Sequence, residues 1–474
     1  MSRDKELQVF IISVDIGSTW TKGGLFRLRD DIIYPVATLL NKTTIDDLAI
    51  GFNFVLKQLK AKAEPQNGNR HISVVYSSSA KGGLSVVAIG IVPSLTLETA
   101  KIAAYSAGAR VDSYYAYELS STDIAQLENA LPDIVLLTGG TDGGNSEYVL
   151  KNATALANSN IGCPIIYAGN RCLVDQVESL LTFKELHVVD NILPQVDEQS
   201  PDAVREKIRS IFVDKIVEGK GLDTISQSLG TAPLPTPYVI HDFVGNISEH
   251  VAEWNNFMLI DLGGATTDVY SQCLETPELG VVYRGLKEPA LKRTVEGDLG
   301  MRVSADSAVE KILSETELNP SRQVLNTDGI KAYVDKLKQQ PEYISNCGEP
   351  AEFDSRIAEC CIVNAVIRHA GRMLQVHTAD GPVNVQLGRN LNHIKKIVGS
   401  GGYLSNSPKV DVVDMISQPR IDAKGRQVLL PAKGEYFRDQ QYLVPLFANV
   451  ARLYPKQAAK AAVAYFEIDT YPQP

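Results

Sequence analysis

Two short segments of this chain combine residue types that suit phosphate. Asp15-Ile-Gly-Ser-Thr-Trp-Thr-Lys22 follows the apolar run VFIISV, and Asp261-Leu-Gly-Gly-Ala-Thr-Thr-Asp268 follows the apolar run FMLI. A strand that stops at Asp and turns through Gly and Ser or Thr offers backbone N–H groups to an anion, because small side chains let phosphate come close. Gly17, Ser18 and Thr19 form the first tip, and Gly263, Gly264, Ala265, Thr266 and Thr267 form the second. The hydroxyls of Ser18, Thr19, Thr266 and Thr267 add donors. Lys22, seven positions after Asp15, brings a point charge within reach of a β- or γ-phosphate.

Asp15 and Asp261 hold matching positions in the two segments. Two carboxylates facing one another suit Mg2+, which keeps most of its waters and bridges one or two carboxylates to phosphate oxygens. Either carboxylate also has the chemistry to orient an attacking water. Asp15, Asp261 and Lys22 are therefore the candidate catalytic residues, with Asp15 and Asp261 the candidate metal ligands. The repeat is asymmetric at its far end, where Lys22 stands opposite Asp268, so one half supplies the cation and the other more acid. A single DxG turn reads equally as a tight hairpin that needs Gly for backbone reasons. Two such turns, each after an apolar strand, favour the phosphate reading.

Two glycine-rich strand ends follow the hairpins. Leu136-Leu-Thr-Gly-Gly140 lies 124 positions from Asp15, counted to Gly139, and Ile397-Val-Gly-Ser-Gly-Gly402 lies 140 positions from Asp261, counted to Gly401. Read as an echo, they extend the internal repeat and add Gly139, Gly140, Gly399, Ser400, Gly401 and Gly402 to the ligand-contacting set. The later one suits an adenosine lying flat against small residues and a helix start, or else a helix-packing turn. The earlier one continues into TGGTDGGN (Thr138 to Asn145), which reads as a wall of the ligand site, a partner-contacting loop, or a tight turn locally capped by Asp142 and Asn145.

The elements that must position these loops alternate between strand-like and helix-like patterns. Strands are expected at Val9 to Val14, Ser73 to Tyr76, Ser85 to Ile91, Ile134 to Leu137, Pro164 to Tyr167, Met258 to Ile260 and Ile394 to Val398. Helices are expected at Thr44 to Ala61, Ser94 to Ala107, Ser121 to Ala130, Val174 to Leu181, Ala203 to Val217 and Lys456 to Ile468. This order predicts an α/β fold. At 474 residues the chain exceeds one compact core. The repeat places the boundary between Tyr238 and Glu253, giving lobes 1–245 and 246–474 around a cleft.

Composition narrows the function. A net charge of -10 argues against a large non-specific nucleic-acid surface, so no such partner is expected. Six cysteines without CxxC pairs read as free thiols of a reducing, cytoplasmic compartment. The amino-terminal MSRDKELQVF has no signal-peptide core. The longest apolar stretch, Leu84 to Leu95, is broken by Ser, Gly and Pro and is too short to span a bilayer, so no membrane is expected. None of the seven histidines shows a ligand spacing for a transition metal.

DIGSTWTK, DLGGATTD and IVGSGGYL resemble, in order, the first phosphate, second phosphate and adenosine motifs of the actin, sugar kinase and DnaK-chaperone superfamily. That resemblance implies two actin-like (ribonuclease H-like) lobes with mixed sheets around a nucleotide cleft that holds ATP and Mg2+. Glu296-Gly-Asp-Leu-Gly300 resembles the loop that closes on the γ-phosphate in chaperone-like members, which adds Glu296 and Gly297; a helix-capping loop is the alternative. Arg368, His369 and Arg372 fall where chaperone-like members bring a charged helix to the adenine, or else form a solvated helical face.

TGGTDGGN, CPIIYAGN, RTVEGDLGMR and RHAGR further resemble the glutamate mutase accessory family, labelled MutL or GlmL, over essentially the whole chain. This resemblance implies a chaperone-like ATPase that reactivates an adenosylcobalamin-dependent mutase by exchanging its cobalamin. The partners it implies are the mutase subunits and ATP/ADP, and it leaves room for a homodimer. DNA mismatch repair proteins share the label but use other ATP-fold signatures, which are missing here. Three other readings remain open. They are a small-molecule kinase of the same fold, a dehydratase activator with a bridging cluster, and a scaffold that ATP switches without turnover. Cys360 and Cys361, adjacent on an expected helix, look like buried small residues rather than cluster ligands.

Overall fold

The computed structural model describes residues 8–63, 70–79, 84–196, 198–217, 221–274, 278–318, 326–345, 347–379, 381–407 and 410–468. The amino-terminal reading falls mostly on Met1 to Leu7, outside the described residues. The chain divides into two compact units, one of 1–82, 217–284 and 288–474, the other of 83–216 and 285–287.

The first unit begins with an antiparallel meander, β1 (Gln8–Ile16), β2 (Trp20–Arg29) and β3 (Ile32–Lys42), followed after helix Leu48–Lys62 by β4 (Arg70–Ser78), parallel to β1. The apolar run before Asp15 becomes β1 because both faces of the sheet are covered. Gly23 packs under Val55 and Leu59 of the helix, while Gly24 lies against Leu446 on the opposite side. Ile11, Ile12, Val14 and Ile16 are accordingly fully buried, each worth roughly 1.5–3 kcal/mol of burial free energy.

The second unit holds β5 (Ser85–Gly90), β6 (Arg110–Ala116), β7 (Ile134–Leu137), β8 (Ile165–Tyr167) and β9 (Leu186–Val188) in one all-parallel sheet of order β6-β5-β7-β8-β9. Its core joins Val87, Ile89, Val135, Leu137, Ile165 and Tyr167 to the helices that cover the sheet. The expected helix Ser94 to Ala107 is divided, with a π-helical turn at Pro93–Leu97 before the α-helix Glu98–Ser106. Pro93 opens that turn, and an α-helix follows where Ala100, Ala103 and Ala104 are fully buried.

The chain then returns to the first unit. There β10 (Leu234–Pro235) lies parallel to β4, and the first sheet has the order β10-β4-β1-β2-β3. A second sheet repeats the plan. It contains β11 (Phe257–Leu262), β12 (Thr267–Gln272) and, after β13 (Val281–Arg284), β14 (Leu291–Glu296) in an antiparallel meander. After β15 (Arg372–Thr378) and β16 (Gly381–Leu387) comes β17 (Lys396–Ser400), parallel to β11. β18 (Gln427–Val428) joins β13, β15 and β16 in a small separate sheet, while β19 (Glu435–Arg438) and β20 (Glu467–Ile468) extend the β17 edge.

Two findings revise the internal repeat. Within each hairpin sheet the strand parallel to the Asp-bearing strand is β4 in the first half and β17 in the second, with Asp15 in register with Ser77 and Asp261 with Ser400. The counterpart of IVGSGG is therefore VVYSSS, and LLTGG belongs to the all-parallel sheet of the other unit. Secondly, the two hairpin sheets share one core, in which Ile11, Phe26 and Val75 join Phe257, Leu259, Val398 and Phe447. For that reason both hairpin sheets fall in one compact unit, and the all-parallel sheet forms the other.

Candidate functional site

The two hairpin turns are built alike. Gly17 N–H donates to Trp20 O at 3.0 Å, and Gly263 N–H donates to Thr266 O at 2.9 Å. A Cβ at Gly17 or Gly263 would stand 2.9 or 3.0 Å from the same acceptor oxygen, so the turn closes only around glycine. Asp15 pairs in register with Lys22 and Asp261 with Asp268. Ser18, Thr19 and residues 263–266 are partly exposed at the tips. A Cβ on Gly264 would lie 3.7 Å from Thr19 Oγ1, so the tips approach each other.

Each tip is braced from behind. Thr43 N–H donates to Thr19 O at 3.0 Å and its hydroxyl to Gly17 O at 2.9 Å. Behind the second tip, Met301 N–H donates to Gly263 O at 3.0 Å, Arg302 N–H to Gly264 O at 2.8 Å and Ser304 Oγ to Ala265 O at 2.7 Å. Arg302 is buried against Asp354, which fixes this brace to the helix Gly348–His369. The Glu296–Gly300 segment thus wraps the second hairpin. Ser304 Oγ also donates to Gly297 O at 2.8 Å, and Thr267 Oγ1 to Leu299 O at 2.8 Å.

The two aspartates differ sharply in their surroundings. Asp15 is 1% exposed. Its Oδ2 accepts from Lys22 Nζ at 3.0 Å, and its Oδ1 from Ser77 Oγ at 3.1 Å and Thr236 Oγ1 at 2.6 Å. Asp261 is partly exposed, yet its Oδ1 is buried and has no hydrogen-bond partner among the described residues. Burial, Asp268 and Asp15 push its carboxyl up to about 7, with Lys22 opposing them. An orphaned buried carboxylate oxygen costs on the order of 1–3 kcal/mol unless a ligand engages it.

Ser400 does not serve Asp261 as Ser77 serves Asp15. Its Oγ donates instead to Asp439 Oδ2 at 2.9 Å. Asp439 also accepts from Leu443 N–H at 2.7 Å and Val444 N–H at 3.0 Å, capping the helix Val444–Ala451. The turn from Asp439 carries Tyr442, whose φ of 53° is left-handed and whose ring lies 3.7 Å from Lys22 Nζ. Burial alone would weaken the Lys22 ammonium, but Tyr442, Asp15 and Asp261 outweigh it and hold the group above its ordinary value.

The remaining expected residues fall as follows. Gly399 packs against Tyr436, and Gly401 takes a φ of 104° with Leu262 directly over it, which only glycine tolerates. Gly402 faces open space. Glu296 is largely buried and pairs with Arg368, which also grips Asp298; burial pushes its carboxyl up to about 7 against the pull of Arg368. Gly139 and Gly140 end β7 in the other compact unit, where Asn191 Nδ2 donates to Gly140 O at 3.1 Å and to Asp142 Oδ1 at 2.8 Å. Asn170 ties Gly143 and Gly144 into the same loop.

Three readings change. Asp268 adds no free acid, because Arg293 neutralises it through Nε at 2.8 Å, both groups being buried. His369 lies on no solvated face. It is fully buried, bonded to Ser271 Oγ at 2.7 Å and Thr294 Oγ1 at 2.8 Å, and burial drives its pKa well down. Arg368 clamps the Glu296 loop, and Arg372, at the start of β15, pairs with Asp422 at 3.5 Å. Cys360 and Cys361 are buried thiols outside any disulfide, and Cys360 Sγ donates to Ala308 O at 3.5 Å.

The MutL protein family model matches residues 11–466. A relative from Clostridium tetanomorphum, described as Protein MutL, is 34% identical over 459 residues, which is 95% of this chain and 98% of that one. The chain belongs to the MutL protein family. Solved structures with similarity include gluconate kinase from Lactobacillus acidophilus, at 11% identity and TM-score 0.35 over 98% of this chain and 93% of that one. A glycerol dehydratase reactivase has 10% identity and TM-score 0.33 over 93% of this chain and 100% of that one. Among the described residues, no helix is long and apolar enough to cross a membrane, and no group of three or more His, Cys, Asp or Glu could hold a metal unaided.

Proposed function

We propose that the chain is a Mg2+-dependent ATPase that assists an adenosylcobalamin-dependent mutase in the cytoplasm, opening it so that damaged cobalamin exchanges for intact cofactor. The observation that carries this reading is Asp261, whose buried, unpartnered oxygen stands beside the Lys22–Asp15 pair in a chain of the MutL family. An orphaned carboxylate oxygen fits a hard cation, and one carboxylate is enough for Mg2+, which keeps most of its waters and takes the rest of its ligands from phosphate. The ion would neutralise charge on the phosphate chain.

Asp261 is the residue we assign to Mg2+. Asp15, first read as a second metal ligand, has its carboxylate filled by Lys22, Ser77 and Thr236, and its role is to hold the lysine. The tips Gly17 to Thr19 and Gly263 to Thr267 would bind the phosphates. Gly399 to Gly402 would bind the adenosine, and Glu296 and Gly297 belong to the loop that Arg368 restrains beside them. On this reading the halves 1–245 and 246–474 act as lobes that close on the nucleotide. The Gly139–Gly140 loop follows the carboxyl end of the middle strand of an all-parallel sheet, where open parallel sheets bind ligands, and we assign it to the mutase rather than to ATP.

The test is phosphate release from ATP and Mg2+, with and without a mutase that carries inactive cobalamin. Slow release that the mutase stimulates is expected. No release under either condition would remove the proposal.

A further inference from the structure

A continuous line of contacts joins the third glycine-rich motif to the lysine of the first. Ser400, which immediately precedes the Gly401 turn, donates to Asp439 at 2.9 Å. Tyr442 N–H donates to Asp439 O at 2.9 Å, so the tyrosine is set by the same turn. The ring lies 3.7 Å from Lys22 Nζ, and Lys22 completes the line at Asp15, 3.0 Å away. Motifs almost four hundred positions apart in sequence thus meet through one side chain.

Tyr442 is an unusual residue for its backbone. A left-handed φ of 53° disfavours a bulky side chain, and strain of this kind persists where the surroundings over-determine it. Here they do. Asp439 is held by Ser400, Leu443 and Val444, and the ring is held by a lysine that is only 7% exposed. A cation over an aromatic face is attracted to it most strongly where both are desolvated. The lysine that would serve a phosphate chain is therefore restrained from two sides, by a carboxylate and by a ring.

We propose that Tyr442 is a positioning residue that makes Lys22 answer to the adenosine end of the nucleotide. The ring restrains the ammonium, and an adenosine seated at the Gly401 turn shifts the Ser400–Asp439 contact and with it the strained 439–442 turn, which releases Lys22 from the ring toward the phosphates while Asp15 still holds its other side. A phosphate chain without adenosine does not move that turn and meets a restrained lysine. The proposal rests on the nucleotide reading of the site and names its means of selectivity.

The experiment measures binding of Mg2+–ATP and of Mg2+–tripolyphosphate to the full chain by calorimetry, for wild type and for Tyr442→Trp, Tyr442→Phe and Tyr442→Leu. Wild type should prefer ATP. Tyr442→Leu should bind tripolyphosphate about tenfold more tightly than wild type, as expected for loss of one desolvated cation–π contact, with ATP affinity changed by less than about threefold. Tyr442→Phe should keep the wild-type ratio, and Tyr442→Trp, with the strongest face for a cation, should weaken tripolyphosphate further. A Leu variant that binds ATP with an unchanged ratio overturns the proposal, as does a Phe variant that behaves like Leu. Should the Leu variant not fold, equal ratios for Trp, Tyr and Phe overturn it instead. A wild-type protein that binds ATP without preference over tripolyphosphate sinks this inference alone, whereas one that binds neither sinks the nucleotide reading as well.

Discussion

The two hairpins share a turn, a register and a preceding apolar strand, yet their aspartates do opposite things. In the first half β4 and the residue after β10 turn their hydroxyls toward Asp15, and Lys22 occupies its other oxygen. In the second half the matching serine, Ser400, is drawn away to Asp439, and the residue opposite, Asp268, is taken by Arg293. Asp261 is left with a buried oxygen and no protein partner among the described residues. Duplicated geometry therefore yields one carboxylate satisfied by the protein and one left open, which we assign to the ligand. The neighbouring strands decide which is which.

The largest expected effect that separates them is on stability. Asp15→Ala leaves Lys22 buried without its carboxylate, and breaking a buried pair in this way costs roughly 3–5 kcal/mol. Asp261→Ala removes an unsatisfied group and should leave the protein as stable as wild type or more stable, by up to about 1–3 kcal/mol. Urea unfolding of the two variants measures the difference, and equal losses would break the comparison. Thr236→Val takes one 2.6 Å bond from Asp15 and should cost about 1–2 kcal/mol by the same assay. A Thr236→Val protein as stable as wild type would mean that the Asp15 network is not what holds the first hairpin.

A smaller effect concerns pH. Glu296 beside the second hairpin has a folded pKa of about 7, raised by burial against the pull of Arg368. The folded state therefore holds this proton more tightly than the unfolded chain, and the group's contribution to stability is lost as pH rises from about 4.5 through 7. Glu296→Gln should gain on wild type by about 1–3 kcal/mol between pH 5 and pH 8 in denaturant titrations. A constant difference across that range would contradict the assignment.

Much of this site was legible in the sequence because a hairpin tip is local. Asp, Gly and a hydroxyl residue within a few positions after an apolar run specify the strand end and the turn together, and β1, β7 and β11 stand where the runs predicted them. The misassigned echo has an equally local cause. VVYSSS has no glycine to mark it as the partner of IVGSGG, while LLTGG has two and belongs to another sheet. Thr236 and Tyr442 were not legible at all, since their roles arise from packing against residues more than two hundred positions away. FRDQQYLVP does carry an Asp ahead of a proline-led helix, a capping signal that marks Asp439 in hindsight. His369 was misread because helix periodicity reports a face, and the end of a long helix can still be covered by strands, here β12 and β14.

The division of labour between the hairpins is tested most directly by the affinity of Mn2+, as a stand-in for Mg2+, in the presence of a non-hydrolysable ATP analogue. The measurement is made on wild type, Asp15→Asn and Asp261→Asn, with folding of each checked by circular dichroism. The account predicts at least a tenfold loss of metal affinity for Asp261→Asn, about 1.4 kcal/mol or more, and less than about a twofold change for folded Asp15→Asn. A loss confined to Asp15→Asn, or equal in the two, would contradict it.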